Sequence, residues 1–335
     1  MKYLIVAELR ENHPNLLRQS QIYNDYVSEK SMMQLANACK EVGYDCEYYG
    51  GMDRLISLCE NKEYIDKDNS IIINYNYGFP AQFKRGQSPI FLEMLGIKYS
   101  GSDPLVSLIV NDKSCGKRLI SNSVKTPRSI DIYSCSDIES INETNINLPV
   151  VIKPNSEGSS LGIDENSLCY TYEKAQNKAN ELLKKYAPVL IEEYIPGYEV
   201  TTWIIGNKGD YALVQPLIIN VSGQYYFESK IFTTFDKANH IRSYSLPQNI
   251  LNARMVERIK KTSQEVFELL GMRDYGRIDL RIYNDDIFFI EANALPIFSQ
   301  TSEIGQIASL CNIEYNEICR KLLKTITKRL VPETN

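Results

Sequence analysis

Two histidines, His13 and His240, are all that 335 residues supply, which leaves a Ser-His-Asp hydrolase little to work with. The eight cysteines, at 39, 46, 59, 115, 135, 169, 311 and 319, include no C-x-x-C pair. A structural zinc site needs clustered thiolates and imidazoles, and this spacing does not provide them. Scattered thiols of this kind read as small reduced core residues, not as a disulfide framework. No apolar run approaches the length of a bilayer span. The opening run Tyr3-Leu4-Ile5-Val6-Ala7 is cut short by Glu8, so it reads as a first core strand and not as a signal peptide. Net charge is -5, from 37 Lys+Arg and 42 Asp+Glu, with the basic residues scattered. A dedicated nucleic-acid binder carries a basic footprint that is missing here. The expected location is the cytoplasm, with neither a membrane nor a nucleic acid as partner.

What is present is ordinary in bulk: 43% hydrophobic and 24% charged residues, typical of a soluble globular protein. The length suggests two or three domain-sized units. The first hundred residues alternate strand and helix, with strands at Tyr3–Leu9, Cys46–Tyr49 and Ile71–Tyr75. Helices are expected near Ser28–Val42, with Ser28 as N-cap and Gly43 as stop, and near Gln87–Leu95 before Gly96. This rhythm predicts a parallel sheet in an α/β fold. A boundary is expected near Gly101–Asp103, ahead of a helical segment at Asp112–Ser121. Strands Leu148–Lys153 and Val189–Glu193 flank a helix at Tyr172–Lys185. Strands near Thr201–Ile205 and Tyr211–Ile219 precede a long segment, Asn220–Leu246, that reads as irregular. Loops of that length are usually functional or disordered. A helix at Asn252–Leu270 follows.

The chemistry gathers in a few places. Tyr275–Ile282 and Phe288–Asn293 alternate with a period of two, and Asn284-Asp285-Asp286 between them is turn chemistry, so a hairpin is predicted. Arg277, Asp279 and Arg281 share one face of the first strand, and Glu291 and Asn293 share one face of the second. Phe289 is expected on that second polar face, with Ile290 and Ala292 pointing away. If the faces coincide, Asp279, Glu291 and Asn293 offer three oxygens to a hard cation such as magnesium. Alone, the hairpin reads equally well as a half-solvated ribbon with ordinary charges. Lys153 closes a buried strand beside the loop Asn155-Ser156-Glu157-Gly158-Ser159-Ser160-Leu161-Gly162, where a lysine, N–H groups and hydroxyls can cradle phosphate. An exposed turn with a stray lysine is the equal alternative. The acids in Glu192-Glu193-Tyr194-Ile195-Pro196-Gly197-Tyr198-Glu199 can accept from a ribose or an adenine amine, or simply be solvated.

Taken in order, Asn111-Asp112-Lys113, Val150–Gly162, Glu192–Glu199, Gly276–Asp279 and Glu291-Ala292-Asn293 resemble the ATP-grasp superfamily, most closely the D-alanine–D-alanine ligases. The likeness runs over nearly the whole chain. It implies a three-domain architecture, with an N-terminal domain at 1–102, a central subdomain at 103–195 and a C-terminal subdomain at 196–335 that carries the metal site. ATP would be held between the last two. By this resemblance Lys113 and Lys153 meet the phosphates, with Glu157, Ser159 and Ser160 in the loop. Glu192 and Glu199 serve adenine and ribose, and the Glu193, Tyr194 and Ile195 backbone runs along the base. Asp279, Glu291 and Asn293 hold magnesium, in all two ions, for which manganese can substitute. Lys230 matches a mobile-loop lysine, and Arg277 faces the acyl-phosphate oxygens. The implied reaction is attack of a carboxylate on the γ-phosphate, then displacement of phosphate by an amine.

The match fails at the substrate side. Asn24, beside Asp25, stands where the family has a glutamate for the first substrate's ammonium. Ile231 replaces the tyrosine after the loop lysine, leaving Ser159 without that partner. Ile297 replaces a glycine, and a branched residue does not comfortably adopt a positive φ. Ser302 matches the serine that binds the second substrate's carboxylate, while Glu303 is an acid at a usually apolar position, open to a cationic group. The expectation is an ATP-dependent carboxylate–amine ligase acting on small amino-acid-like substrates other than two D-alanines. D-alanine–D-alanine ligase itself, or a nucleotide-binding protein without turnover, is the alternative. A homodimer and a carrier-bound substrate both remain compatible.

Overall fold

Strand β1 (Lys2–Val6) runs between β2 (Asp45–Gly50) and β3 (Ser70–Asn74), parallel to both. This is seen in a computed structural model that describes residues 1–13, 26–81, 83–141, 144–158, 160–233, 235–236 and 241–331. Alternation along β1 dictates the layers. Tyr3 and Ile5 face helix α1 (Glu29–Glu41), while Leu4 and Val6 face α2 (Met52–Cys59) and α3 (Lys84–Leu95). Ser28 caps α1 by accepting from Ser31 N at 3.2 Å, and Gly43 follows at φ +93°. Helix α2 is absent from the sequence expectation for a physical reason. Its N-cap, Gly51, has no side chain to signal it, and the first helical N–H, of Met52, is satisfied instead by Glu8 Oε1 at 2.5 Å, 44 residues away.

The second sheet is antiparallel, in the order β4-β7-β5-β6, from β4 (Ser129–Ile132), β5 (Val150–Pro154), β6 (Leu168–Cys169) and β7 (Val189–Glu193). Helices α6 (Cys135–Glu139) and α7 (Tyr172–Leu183) back it. The third sheet has the order β11-β9-β8-β12-β13, with β10 on β8. Its strands are β8 (Gly197–Asn207), β9 (Asp210–Val221), β10 (Tyr226–Phe227), β11 (Arg242–Ser245), β12 (Asp274–Tyr283) and β13 (Asp286–Asn293). Helices α4 (Pro104–Asn111), α5 (Lys113–Ile120) and α8 (Ala253–Leu269) bury apolar faces against this third sheet. Helices α9 (Glu303–Leu310) and α10 (Tyr315–Leu330) close the chain, and α10 returns to the first sheet, where Thr327 Oγ1 meets Tyr3 Oη at 2.5 Å. Among the described residues no helix is long and apolar enough to cross a membrane.

Two expectations are corrected. The described part of 220–246 is not wholly irregular, because β10 and β11 are short strands made by pairing with β8 and β9, with no periodic pattern of their own. The hairpin also contains a bulge. Asp279 pairs with Glu291 but Leu280 pairs with Phe289, so Ile290 is the extra residue. A bulge re-aims the side chains beyond it. Phe289 is therefore turned away from Glu291 and packs with Ile278, Leu280 and Ile282 in the apolar core. The hairpin forms as expected, but its turn is shorter than the three residues read from sequence: Asp286 pairs with Tyr283, leaving a two-residue connection with Asn284 at φ +48° and Asp285 at φ +63°, the geometry of a type I′ turn.

Asp274 fixes the junction between the first and third sheets. It is fully buried and sits at φ +65°, a conformation Asp tolerates better than most residues. Its carboxylate accepts from Gly101 N at 2.8 Å, from Arg329 Nε at 2.7 Å and from Asn207 Nδ2 at 3.2 Å. Asp274→Asn keeps the shape and the tolerance of positive φ but removes the charge opposite Arg329. The expected loss is about 3 kcal/mol, the usual scale for breaking a buried pair from one side. Urea unfolding measures it, and a loss under about 1 kcal/mol would remove Asp274 from this role.

Candidate active site

A one-residue break between α4 and α5 starts the site. Asp112, at φ −91° and ψ 104°, ends α4 and caps α5 by accepting from Cys115 N at 2.9 Å. Lys113 thereby becomes the first residue of α5. Its Nζ donates to Glu157 O at 2.5 Å and Asn155 O at 3.3 Å, and lies 3.6 Å from Glu291. One turn later, on the same face, Lys117 Nζ pairs with Glu192 Oε2 at 2.8 Å and donates to the Ile290 carbonyl. Lys153 Nζ takes the other oxygen of Glu192 at 2.9 Å. All three side chains are buried. Burial pushes Lys117 down to about 8. Burial alone would push Glu192 up, but Lys117 and Lys153 together hold it below its usual range. Lys117 was not among the residues expected from sequence, although its four-residue spacing from Lys113 is a signal that could have found it.

The hairpin supplies the opposite wall. Asp279 and Glu291 are direct cross-strand partners, as are Arg277 and Asn293, so the two polar faces do coincide. Arg277 grips Asp279 with Nε at 3.0 Å and Nη2 at 2.8 Å, and Thr201 Oγ1 donates to the same carboxylate at 2.6 Å. The strand ion pair therefore forms, and Nη1 of Arg277 is left over, 3.5 Å from Glu303. Burial pushes Asp279 up, Arg277 opposes it, and the charge of Glu291 adds to the upward shift. Burial also works against Glu291, but Lys113, Lys153 and Arg277 outweigh it and hold that acid low. Asn293 Oδ1 accepts from Leu295 N at 2.9 Å.

A cavity of about 900 Å³ joins these walls. It brings together Lys113, Glu157, Ser160, Glu199, Arg277, Asp279, Glu291, Asn293, Ile297, Ser302 and Glu303. Lys153 and Glu192 lie behind its surface. Glu193 turns outward, accepting from Asn147 N and Nδ2 at 2.8 Å each. Tyr194 Oη accepts from the Lys230 amide at 3.1 Å, so this lysine is anchored by its backbone and does not contribute to the described wall. Arg281 links the Ile195 carbonyl, at 3.2 Å, to Glu199, at 2.7 Å. Glu157 accepts from Lys84 at 2.9 Å. Ser302 Oγ donates toward Ile297 O at 2.6 Å, and Ile297 stays out of the positive-φ region. Asn24, Asp25 and Ser159 lie outside the described residues. Glu303 is not an open acid, as sequence had suggested. Its Oε1 takes Arg242 Nη2 at 2.7 Å and Tyr244 Oη at 3.0 Å.

Comparison with known proteins supplies the family. The family model for the D-ala D-ala ligase C-terminus matches residues 129–324, more than half of the chain. A D-alanine–D-alanine ligase from Desulforamulus reducens is 32% identical over 70% of this chain and 74% of its own length. Among solved structures, D-alanine–D-alanine ligase from Bacillus anthracis complexed with ATP superposes with a TM-score of 0.69 at 20% identity, over 100% of both chains. The VanG D-Ala:D-Ser ligase from Enterococcus faecalis gives 0.71 at 18%, over 97% of this chain and 99% of the other. The fold and the site define an ATP-grasp ligase. The chain belongs to the D-alanine–D-alanine ligase family.

Glu303 carries a pH dependence. Burial would raise its pKa, but Arg277 and Arg242 hold it down at about 2, against an ordinary 4.5. A carboxylate depressed by folding contributes stability that is complete above its unfolded pKa and is lost as pH falls through the folded one. The window therefore lies between pH 4.5 and about 2, with a span of about 3 kcal/mol. Glu303→Gln lacks this contribution. Its stability, followed by urea unfolding, should fall less steeply than that of the wild type between pH 5 and pH 3. Parallel curves would refute the assignment.

Proposed function

We propose that the chain joins the carboxylate of one small amino acid to the amine of another at the expense of ATP, with D-alanine as the reference substrate on both sides. The observation that carries this reading is the meeting, in one cavity, of Lys113, the Asp279–Glu291 pair and Arg277, whose Nη1 lies 3.5 Å from Glu303. The family membership and the ATP-bound relative support it. The domain division at 102 and 195, the cytoplasmic setting and small-molecule substrates belong to the same proposal. So does a homodimer, since Phe83, Ile90 and Met94 run along α3 at 62%, 42% and 73% exposure, an apolar stripe of the kind that partners cover. Sedimentation of the full chain as a monomer counts against that part.

The residues present suit a divalent cation. Two carboxylates directly opposite on a hairpin repel each other, and burial sharpens that repulsion at Asp279. Asp279, Glu291 and Asn293 would hold the ion through hard oxygen donors. When bound, such an ion neutralises charge on the phosphates. The chain's own groups do the rest. Lys113 meets phosphate charge from the side facing Glu291. Lys153, paired with Glu192 behind the cavity surface, would add positive charge for the phosphates, with the Glu193–Ile195 backbone along the base. Arg277, immobilised through two of its nitrogens, keeps Nη1 for oxyanion charge on the acyl carbon, a preorganised donor that needs no rearrangement during reaction. Attack of the substrate carboxylate on the γ-phosphate gives an acyl phosphate and ADP, and the second substrate's amine then displaces phosphate.

A second reading, in which the substrates are not both D-alanine, is favoured by the charged pair Arg242–Glu303 in the cavity wall and by Ile297. ADP release from the purified chain with ATP, magnesium and D-alanine, with dipeptide read by mass spectrometry, tests the main reading. Release without any peptide-bonded product would overturn it. Glu291→Ala should lower turnover by about 100-fold or more, the scale of losing one electrostatic contributor to a transition state. Undiminished turnover would take Glu291 out of the metal site.

A further inference from the structure

We propose that Arg281 is a positioning residue for the nucleotide: it holds Glu199 so that this carboxylate meets the ribose hydroxyls already aligned. The inference rests on the ligase reading above, under which Glu199 serves the ribose, and it adds the residue that sets that acid. Arg281 is the third polar residue on the face of β12 that carries Arg277 and Asp279, and its direct partner on the neighbouring strand is Glu199 of β8. Arg281 Nη2 donates to Glu199 Oε2 at 2.7 Å. Nη1 of the same guanidinium donates to the Ile195 carbonyl at 3.2 Å and to Tyr194 Oη at 3.4 Å. The guanidinium carbon lies 5.4 Å from the Tyr194 ring centre and 5.5 Å from that of Phe227. Arg281 is buried, whereas Glu199 lines the cavity.

Two roles are open to a buried arginine of this kind. As a plain cross-strand ion pair it would hold β12 to β8 and do nothing more. Those strands are already joined by their ladder from Asp274 to Ile282. The guanidinium also reaches past the ladder to the connection between β7 and β8, which runs alongside the base under the same reading. One side chain therefore fixes both the acid for the ribose and the backbone beside the base. An ionised carboxylate has about four acceptor sites, so a single guanidinium contact leaves places for hydroxyl donors. Without Arg281 the glutamate side chain has to be ordered when the nucleotide arrives, a cost that preorganisation removes. Tyr194 extends the hold. Its Oη accepts from the Lys230 amide at 3.1 Å and donates to the Lys230 carbonyl at 2.9 Å, so the segment after β10 is tied to the same guanidinium.

The test is calorimetry of nucleotide binding to the full chain with magnesium, in the absence of acid and amine, with ATP and 2′,3′-dideoxy-ATP as probes. The wild type should bind ATP at least about tenfold more tightly than the dideoxy analogue, because a site built to accept from a hydroxyl rejects the analogue that lacks it. In Arg281→Met, which fills similar space but no longer holds Glu199, the ratio should fall to about twofold or less. The double variant Arg281→Met/Glu199→Gln leaves no charge unpaired and should give the same ratio as the single variant. It serves in place of the single variant if that one does not fold, and a wild-type ratio there overturns the proposal. A wild-type ratio in Arg281→Met, with both nucleotides weakened alike, overturns it as well, because a merely structural pair alters stability and not the dependence on hydroxyls. So does a double variant whose ratio falls well below that of the single one, since Glu199 would then be working without Arg281. Equal binding of the two nucleotides by the wild type overturns the proposal and leaves the ligase reading intact. Failure of the wild type to bind ATP removes both.

Discussion

One carboxylate, Glu192, is shared by two buried lysines, and much of the site depends on that sharing. Lys153 comes from β5, Glu192 from β7 and Lys117 from α5, while the same Lys117 ammonium reaches the carbonyl of Ile290 on β13. Four elements belonging to two sheets are therefore tied through a single acid. Buried pairs seldom add net stability over well-packed apolar groups, but removing one partner leaves a charge stranded. Here the group carries one negative and two positive charges. That leaves an excess of positive charge buried at the junction between the second and third sheets.

The bond from Lys117 to Ile290 also explains why the bulge matters. Ile290 is the residue that has no partner in the ladder, and its carbonyl is the one that Lys117 takes. The irregularity is thus satisfied from outside the hairpin. Its consequence is that Glu291 and Asn293 face the cavity with Asp279 while Phe289 returns to the core. From Asp279 the charges continue through Arg277 and Glu303 to Arg242 on β11. One alternating chain of charges connects the Asp279–Glu291 end of the cavity to β11. Such networks are more strongly coupled than separate pairs.

Local signals made a good part of this legible. Ser28 and Gly43 bracket α1, the Asn284-Asp285 turn sets a hairpin, and the period of two puts Asp279 opposite Glu291. What escaped was set by contacts distant in sequence. Helix α2 is capped by Glu8 across the parallel sheet. The bulge that turns Phe289 inward is supported by Lys117, 173 positions from its acceptor. Strands β10 and β11 exist because β8 and β9 present edges to them. Glu303 read as an open acid because Arg242 is 61 positions away and nothing in either neighbourhood announces the pair. Periodicity and capping are local, whereas registers, bulges and ion pairs are settled in three dimensions.

The same distinction separates two walls of the cavity. The junction of the second and third sheets uses backbone register and a carboxylate shared by two lysines, and such features tolerate little change without disturbing two sheets at once. The opposite wall is built from side chains, namely Ile297, Ser302, Glu303 and Arg242. Ser302 commits its hydroxyl to backbone carbonyls, at 2.6 Å from Ile297 O and 2.9 Å from Ser299 O. It must therefore rotate before it can donate to a carboxylate. Glu303, by contrast, is held ionised, because Arg277 and Arg242 outweigh its burial. A wall of this kind can change substrate by changing one or two side chains while every strand stays in register. That makes this wall the part of the cavity least constrained by the fold.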